Sequence, residues 1–407
     1  MKQFFYKYFK GDIVIWGVII TLSLFSLLAV YSSTGRLAFQ YMKGNTSYYL
    51  LKHTGMLFSG ILIIYITHLI PYRLYSKLAL LFLYITIPLL AYTLLSGTSQ
   101  HDASRWISIG EKGITFQTSD FAKFALIMYI ARFLSQNQGN IKDFKTGFRS
   151  IMIWVILVCG LIFPANFSTA AILFFTSLIL LFLGRINLKY IFGLIGIGIV
   201  LIILFIGIAS MLPEEKQGRV STWKNRVESF FGGSDKEEDY QVKQAKIAIA
   251  SGGIFGKGPG NSTQRNYLPQ PFSDFIFAII IEEYGIFGGL FLMFLYLVLL
   301  YRAGMIVKKS TSQFAAFIAI GFTFSIVFQA FINMGVAVHL GPVTGQTLPF
   351  VSMGGTSILF SSAAIGIVLS VSRSVNKEEK NKDTNNNSEI TDKTESSDSE
   401  NKENDNE

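Results

Sequence analysis

Long apolar runs, separated by short polar segments, recur along almost the whole chain. Most runs reach about eighteen residues or more, the length that a helix needs to cross a bilayer. Helices are predicted because backbone groups surrounded by lipid must find their hydrogen-bond partners within the same segment. The pattern predicts ten membrane spans, at residues 13–31, 49–70, 75–95, 119–136, 149–165, 168–184, 188–212, 274–301, 312–337 and 350–372.

Two segments between the spans are unusual. Residues 96–118 are predicted to form a loop with an amphipathic middle, whose Trp106 suits the membrane interface. Residues 213–273 form a segment that is too long for a plain connector between spans seven and eight. A helix-forming piece at 241–249 and a glycine-rich piece at 252–260 favour a functional role for this long segment.

Composition agrees with a membrane protein, because 51% of the residues are hydrophobic and only 15% are charged, against about a quarter charged in soluble domains. The formal charge of +9 is unevenly distributed along the chain. Residues 376–407 carry eleven acidic and five basic side chains, so the rest of the chain is strongly basic. The sequence therefore predicts an all-α membrane domain over 1–375 and a disordered cytoplasmic polar tail over 376–407. Nucleic-acid binding is disfavoured, because most basic residues flank apolar runs and look like topology determinants.

Lysine and arginine are concentrated in alternate loops, which predicts the orientation of the chain. The N-terminus is placed inside, and an even number of spans also returns the C-terminus to the cytoplasm. Segments 96–118 and 213–273 then lie outside. The first apolar run has no small-residue cleavage site after it and is interpreted as a retained span. A single cysteine, Cys159, excludes an intramolecular disulfide.

Four carboxylates lie at or within the predicted spans, where ionisable groups are costly and suggest function. Asp274 begins the eighth span, where a helix cap is the alternative to a catalytic role. Glu282 and Glu283 lie two turns deeper, too deep for capping, and pairing with a basic residue is their alternative role. Asp120 begins the fourth span, where capping and an ion pair with Lys123 account for it without function.

Two irregular segments carry little direct chemistry of their own. Residues 252–260 fail as a phosphate loop, because Gly258 stands where serine or threonine is required; a bend that allows close backbone approach fits better. Residues 341–357 are rich in glycine, proline and hydroxyl groups, which favours a cavity lining over a simple re-entrant turn. The four histidines are scattered, so no tight metal site is predicted.

Taken in order, these motifs resemble the SEDS family of cell-wall polymerases (shape, elongation, division and sporulation). The resemblance extends from the first span to about residue 373 and rests on several blocks. The blocks are Arg105-Trp106-Ile107, Gln117 to Asp120 with Lys123, Gly256 to Ser262, Leu268-Pro269, Asp274 to Ala278, Glu282 to Gly285, Gln329, Asn333, and Pro342 to Ser357. Gly260-Asn261-Ser262 and the tail look more like the FtsW-type division branch than the RodA-type elongation branch.

Four positions depart from the family pattern. Thr118 and Asp120 replace a usual proline and glutamate, and the second change keeps the charge. Gln270 and Asn166 stand where acids are common, so neither is expected to act as an acid here.

The resemblance implies an inverting glycosyltransferase that polymerises peptidoglycan from lipid II, a disaccharide-peptide on undecaprenyl diphosphate, at the outer membrane face. Asp274 is the expected catalytic carboxylate, either as a direct base or by holding a cation or hydroxyl in place. The expected supporting and substrate-binding residues are Arg105, Trp106, Asp120, Lys123, Arg219, Lys257, Arg265, Glu282, Glu283, Ser352, Gly354 and Gly355. No protein metal site and no obligate cofactor are implied, and a divalent cation, magnesium or manganese, is left open.

The implied partners are a class B penicillin-binding protein that supplies transpeptidation, other divisome proteins and membrane lipids, with no nucleic acid. The implied location is the bacterial cytoplasmic membrane, with enrichment at the division septum. Two other functions stay open. A lipid II flippase would carry ionisable groups near the bilayer midplane, and a non-catalytic divisome scaffold would depend on the tail rather than on Asp274.

Overall fold

A computed structural model of the chain describes residues 10–96, 98–100, 103–109, 114–210 and 236–404. Helices dominate this part of the chain. The first half contains α1 (Ile13–Ser33), α2 (Gly35–Tyr41), α3 (Thr46–Leu69), α4 (Tyr72–Ser96), α5 (Thr118–Gln136), a π-helix (Phe144–Arg149), α6 (Ser150–Ile162), α7 (Phe167–Leu183) and α8 (Leu188–Ser210). The second half contains α9 (Lys236–Gly252), a short 3-10 helix (Gln264–Asn266), α10 (Ile276–Lys309), α11 (Gln313–Ala337) and α12 (Gly355–Asn404).

Each of the ten predicted spans corresponds to a helix. Among the described residues, seven helical segments are long and apolar enough to cross a membrane. They are α1, α3, α4, the π-helix together with α6, α10, α11, and α12 as far as Glu379. The other three predicted spans are α5, which carries the charged Asp120, Lys123 and Arg132, α7, which has only 17 residues, and α8. The chain is therefore a multi-pass membrane protein.

Residues 96–118 are not the predicted loop, because they contain a three-stranded antiparallel sheet. The strands are β1 (Thr98–Gln100), β2 (Ala103–Ile109) and β3 (Ile114–Gln117), in the order β1-β2-β3. Trp106 of β2 lies opposite Gln117 of β3, and Ile109 lies opposite Ile114. Aromatic and β-branched residues, such as Trp106 and Ile107 of β2, are favoured in strands.

Small residues allow the closest helix packing. The side chains of Ser362 and Thr67 occupy the space where a Cβ atom on Gly60 and Gly366 would lie, so α3 and α12 approach each other closely. At Gly321 of α11, a Cβ atom would lie 3.0 Å from Ile127 of α5 and 3.1 Å from Leu180 of α7. Helices α5, α7 and α11 therefore meet in the interior, and this meeting point lies beside the candidate site.

The helix α12 continues to Asn404, whereas the sequence predicts a disordered tail from residue 376. Contacts beyond the membrane segment support its first polar turns. Lys309 pairs with Glu379 at 3.0 Å, and the hydroxyl of Thr311 donates to Glu378 at 2.7 Å. Lysine and glutamate at 377–380 are also good helix formers, which favours the first polar turn of this extension.

At the opposite end from the candidate site, Asp12 ties α1 to α10. Its carboxylate accepts from the backbone N–H groups of Val14 and Ile15 at the start of α1, at 2.9 and 3.3 Å. The guanidinium of Arg302, near the end of α10, donates to the same carboxylate at 2.5 and 2.8 Å. These contacts fix one end of α10 and leave its other end to position the site.

Candidate functional site

Asp274 lies in the turn immediately before α10 and is partly buried. The hydroxyl of Ser273 donates to its carboxylate at 2.8 Å. The N-cap residue of α10 is Phe275, so Asp274 stands one position before the cap. The Asp274 carboxylate also lies close to residues 345–354, since a Cβ atom on Gly345 would be 3.6 Å from one of its oxygens.

Two amide side chains of α11 connect this turn to other elements. The amide nitrogen of Asn333 donates to the backbone carbonyl of Asp274 at 2.9 Å and to that of Gln346 at 2.7 Å. One turn earlier, the amide nitrogen of Gln329 donates to the carbonyl of Thr347 at 2.9 Å. Both amides are buried, so one face of α11 holds the turn before α10 against the segment before α12.

The carbonyl oxygen of the Gln329 side chain binds Lys123 of α5, whose ammonium nitrogen lies 2.7 Å away. Lys123 also forms the predicted ion pair with Asp120, at 3.8 Å and three residues apart on the same helix. Asp120 is buried, and its second carboxylate oxygen has no hydrogen-bond partner among the described residues. The network therefore brings a lysine ammonium and the Asp274 turn to neighbouring positions along α11.

A small, partly open pocket lies beside Lys123. Asp120 and Lys123 supply its charged groups, Ser325 and Ser361 supply hydroxyls, and aromatic rings of α5, α11 and α12 supply apolar walls. Mostly apolar walls with a few charged and polar groups are typical of sites that bind amphiphilic molecules.

The segment between α11 and α12 packs against the Asp274 turn. The hydroxyl of Ser352 accepts from the Leu348 N–H at 2.7 Å and donates to the Ser273 carbonyl at 2.6 Å. The backbone N–H of Met353 donates to the Phe272 carbonyl at 2.9 Å. Gly354 lies against the side chain of Thr347, and Gly355 begins α12.

Glu282 organises a second polar cluster, two turns along α10 from Asp274. It is completely buried, and the ammonium nitrogen of Lys257 lies 2.6 Å from its carboxylate. The predicted pairing with a basic residue is therefore present, although Lys257 lies in an irregular segment. The carboxylate also accepts hydrogen bonds from side-chain or backbone groups of Ser251, Ser262, Thr263 and Gln264.

Glu283 and Arg265 meet at the end of α1 rather than at Asp274. The carboxylate of Glu283 accepts from the Ser32 hydroxyl and, at 3.3 Å, from the backbone N–H of Ser262. The guanidinium of Arg265 donates to the carbonyl and hydroxyl oxygens of Ser32, at 3.1 and 3.2 Å. Segment 257–265 is thus attached to both α10 and α1.

Helix α10 is broken at Gly285, which has φ 69° and ψ −172°. In an unbroken helix the carbonyls of Glu282 and Glu283 accept from residues 286 and 287. Here they accept from Lys257 and Gly258 of the glycine-rich segment, each at 2.9 Å, and the N–H of Ile286 donates to the Gly253 carbonyl at 3.0 Å. The predicted close backbone approach is confirmed, because a Cβ atom on Gly285 would lie 2.1 Å from the Ile254 carbonyl oxygen.

The structure separates the predicted cations into different places. Lys123 lines the pocket and binds Gln329, one helical turn from the Asn333 that holds the Asp274 backbone, whereas Lys257 and Arg265 are engaged in the Glu282 and Ser32 contacts. Arg105 and Trp106 lie in β2. Arg219 lies outside the described residues.

Sequence reasoning missed the structural importance of Gln329 and Asn333, which it matched only as parts of a motif. A usable signal was present, because the two amides stand four residues apart in an otherwise apolar helix. Buried amides at that spacing share one helix face and need partners. Among the described residues, no group of three or more histidine, cysteine, aspartate or glutamate side chains could hold a metal ion.

Comparison with known proteins places this geometry in context. Residues 12–377 match the sequence model of the cell cycle proteins FtsW, RodA and SpoVE. The chain is similar to stage V sporulation protein E of Bacillus subtilis (strain 168), with 32% identity over 373 residues that cover 88% of this chain and 96% of that protein. It is also similar to a probable peptidoglycan glycosyltransferase FtsW of Coxiella burnetii (strain RSA 493), with 31% identity over 367 residues that cover 88% of this chain and 95% of that one.

Among solved structures, a chain of a peptidoglycan synthase complex, described for its coordination of polymerization and crosslinking, has the same fold. Its TM-score is 0.67 at 22% sequence identity, and the match covers 90% of this chain and 98% of that chain.

Proposed function

Since this chain belongs to the cell cycle protein family of FtsW, RodA and SpoVE, the family that its motifs resemble, we propose that it polymerises peptidoglycan glycan strands. The substrate is lipid II, which the enzyme meets at the outer face of the cytoplasmic membrane. The relatives named as probable peptidoglycan glycosyltransferases support this activity, because alignments with them span nearly the full length of both chains.

The observation that carries the proposal is the polar network on α11. Gln329 holds the Lys123 ammonium, and Asn333, one turn further along, holds the backbone of Asp274. Side chains four residues apart on a helix have Cβ atoms about 5–6 Å apart. A cation and a carboxylate-bearing turn are thus held by adjacent turns of one helix, and the cation lines a pocket with largely apolar walls.

This arrangement suits transfer of a sugar from a lipid diphosphate. The acceptor hydroxyl oxygen bonds to the anomeric carbon while the bond from that carbon to the diphosphate oxygen breaks. Asp274 takes the hydroxyl proton as general base, and the electron pair of the broken bond leaves with the diphosphate. Lys123 offsets the negative charge that develops on the departing group. Asp120 orients Lys123 through their ion pair.

The proposed step uses a positive charge that the chain itself supplies, and a divalent cation, magnesium or manganese, is left open. The ammonium group of Lys123 supplies the positive charge in the proposed step.

The biological setting follows the FtsW-like relatives. We place the protein in septal wall synthesis, with both termini in the cytoplasm and a class B penicillin-binding protein as its transpeptidase partner. The similar fold in a peptidoglycan synthase complex supports such a partner. The polar segment from residue 376 is proposed to face other divisome proteins.

The test is polymerisation of purified lipid II by the purified protein with its cognate transpeptidase, with the products resolved on a gel. Wild type, Asp274→Asn and, as a matched control, Asp143→Asn are compared, since Asp143 is exposed in the loop after α5. A glycan ladder from wild type and from Asp143→Asn, but not from Asp274→Asn, is expected.

Other outcomes of this experiment would overturn either the activity or the role of Asp274. No ladder from a folded wild-type complex would overturn the polymerase and favour a flippase or a scaffold. Ladders from all three proteins would keep the activity and overturn the role of Asp274. A scaffold further predicts that removing residues 376–407 matters in cells while Asp274→Asn is silent.

A further inference from the structure

Gln329 and Asn333 each bridge two different elements through buried side-chain amides. Asn333 uses its amide nitrogen on the carbonyls of Asp274 and Gln346, at 2.9 and 2.7 Å. Gln329 binds the Lys123 ammonium at 2.7 Å and the Thr347 carbonyl at 2.9 Å.

The chemistry of the partners fixes which way each amide points. Both partners of Asn333 are carbonyl oxygens, which only accept, so the nitrogen must face them. Gln329 has a donor-only ammonium on one side and an acceptor-only carbonyl on the other, so its orientation is also determined. Both residues are almost completely buried, with exposed fractions of 4% for Gln329 and 1% for Asn333. Water is therefore a poor substitute partner for either amide.

We propose that Gln329 and Asn333 are positioning residues for glycan polymerisation, an inference that rests on the proposed function. Asn333 sets the position of the Asp274 backbone, and therefore of the carboxylate that it carries. Gln329 sets the position of the Lys123 ammonium. Because both side chains project from one rigid helix, they fix the spacing between the proposed base and the cation that meets the diphosphate.

A third contact extends this positioning to α7. The amide nitrogen of the Gln346 side chain donates to the Thr169 hydroxyl at 3.0 Å, and both residues are buried. The backbone of Gln346 is therefore held from two sides, by Thr169 through its own side chain and by Asn333 through its carbonyl. Asn333 thus ties the Asp274 turn to a point that is itself fixed against the helix bundle.

The test uses isosteric variants that remove a hydrogen bond but keep the packing. Asn333→Leu removes both donors, and Asn333→Asp places an oxygen against the two carbonyls. Gln329→Met removes both bonds, whereas Gln329→Glu keeps an acceptor for Lys123 and loses only the donor to Thr347. Thr323→Val is the control, because the Thr323 hydroxyl is buried on the same helix and makes no hydrogen bond in the described part of the chain.

For each variant, kcat and KM for lipid II are measured per folded protein, at a temperature well below its own melting point. Displacement of a catalytic group by about 1 Å costs on the order of 100-fold in rate. We expect kcat of Asn333→Leu, Asn333→Asp and Gln329→Met to fall on that scale while KM stays close to wild type. Gln329→Glu should retain more activity than Gln329→Met, and Thr323→Val should match wild type.

The inference and the proposed function fail in different ways. A wild-type protein that makes no glycan would overturn the proposed function. If wild type polymerises and Asp274→Asn does not, unchanged kcat in Asn333→Leu and Gln329→Met would overturn the positioning roles alone. A lower melting temperature with unchanged kcat per folded molecule would show a purely structural role and would likewise overturn them.

Discussion

Lys257 and Glu282 are 25 residues apart in the sequence, yet the ammonium nitrogen of one lies 2.6 Å from the carboxylate oxygen of the other. The carboxylate is fully buried, whereas the lysine side chain is 30% exposed. Around them, hydroxyl and backbone N–H groups of residues 262–264 donate to the same carboxylate. One buried carboxylate therefore organises the segment that precedes the Asp274 turn.

Replacing Lys257 with methionine should destabilise the protein. The Glu282 carboxylate stays buried but loses its only cationic partner in the described part of the chain, and we expect a loss of about 1–3 kcal/mol. Thermal unfolding of the purified protein in detergent, followed by tryptophan fluorescence, measures the effect. Lys246→Met is the matched control, because Lys246 is exposed on the preceding helix α9. Equal shifts for the two variants would contradict the importance of the ion pair.

Replacing Gly285 with alanine should also destabilise the protein. Its backbone conformation is open only to glycine, and such strain costs about 1–3 kcal/mol before any clash is counted. The added Cβ would also lie 2.1 Å from the Ile254 carbonyl oxygen. Gly304 lies in the same helix with nothing within 4 Å of its Cβ position, so Gly304→Ala should be tolerated. A Gly285→Ala protein that melts like Gly304→Ala would show that the helix is not broken as described.

Lys123→Met should lower both stability and polymerisation, because it leaves the Asp120 carboxylate buried without its cation. Removing one partner of a buried pair costs about 3–5 kcal/mol. The double variant Asp120→Asn with Lys123→Met should recover much of the stability but not the activity, since no charge remains to meet the diphosphate. Melting curves and lipid II polymerisation, measured on the same preparations, separate the two effects. Activity in the double variant would argue against the role of Lys123.

Ser352→Ala should weaken the contact between the segment before α12 and the Asp274 turn. It removes the acceptor of the Leu348 N–H and the donor to the Ser273 carbonyl, and buried groups left unpaired cost about 1–3 kcal/mol. Thermal unfolding measures this loss. Ser59→Ala is the comparison, because the Ser59 hydroxyl is exposed and donates only within its own helix α3. The prediction fails if both variants unfold at the wild-type temperature.

The order of the helices was largely predictable, because apolar length alone marks a membrane span. The sheet was not predicted, because its strands are short and a run such as Arg105-Trp106-Ile107 between two spans also fits an interfacial loop. Asp120 and Lys123 were paired correctly, since their spacing is local and helical geometry determines the contact.

Long-range contacts were the part that the sequence could not supply. Lys257 was expected among the supporting and substrate-binding residues. It pairs with Glu282, and nothing in the local pattern indicates a partner 25 residues away. Gln329 and Asn333 were matched only as parts of a motif, and their partners lie in other segments. Only the three-dimensional fold shows which carbonyls and which ammonium they meet.

The break at Gly285 has a consequence for how the protein is made. The backbone that completes α10 belongs to residues 253–258, which the ribosome adds before it reaches the helix itself. When the distal half of α10 enters the bilayer, the groups that replace its missing hydrogen bonds have therefore already been synthesised. A circular permutant that begins at residue 270 would reverse this order. The carbonyls of Glu282 and Glu283 would then enter the bilayer unpaired and stay so until residues 257 and 258 were synthesised at the end.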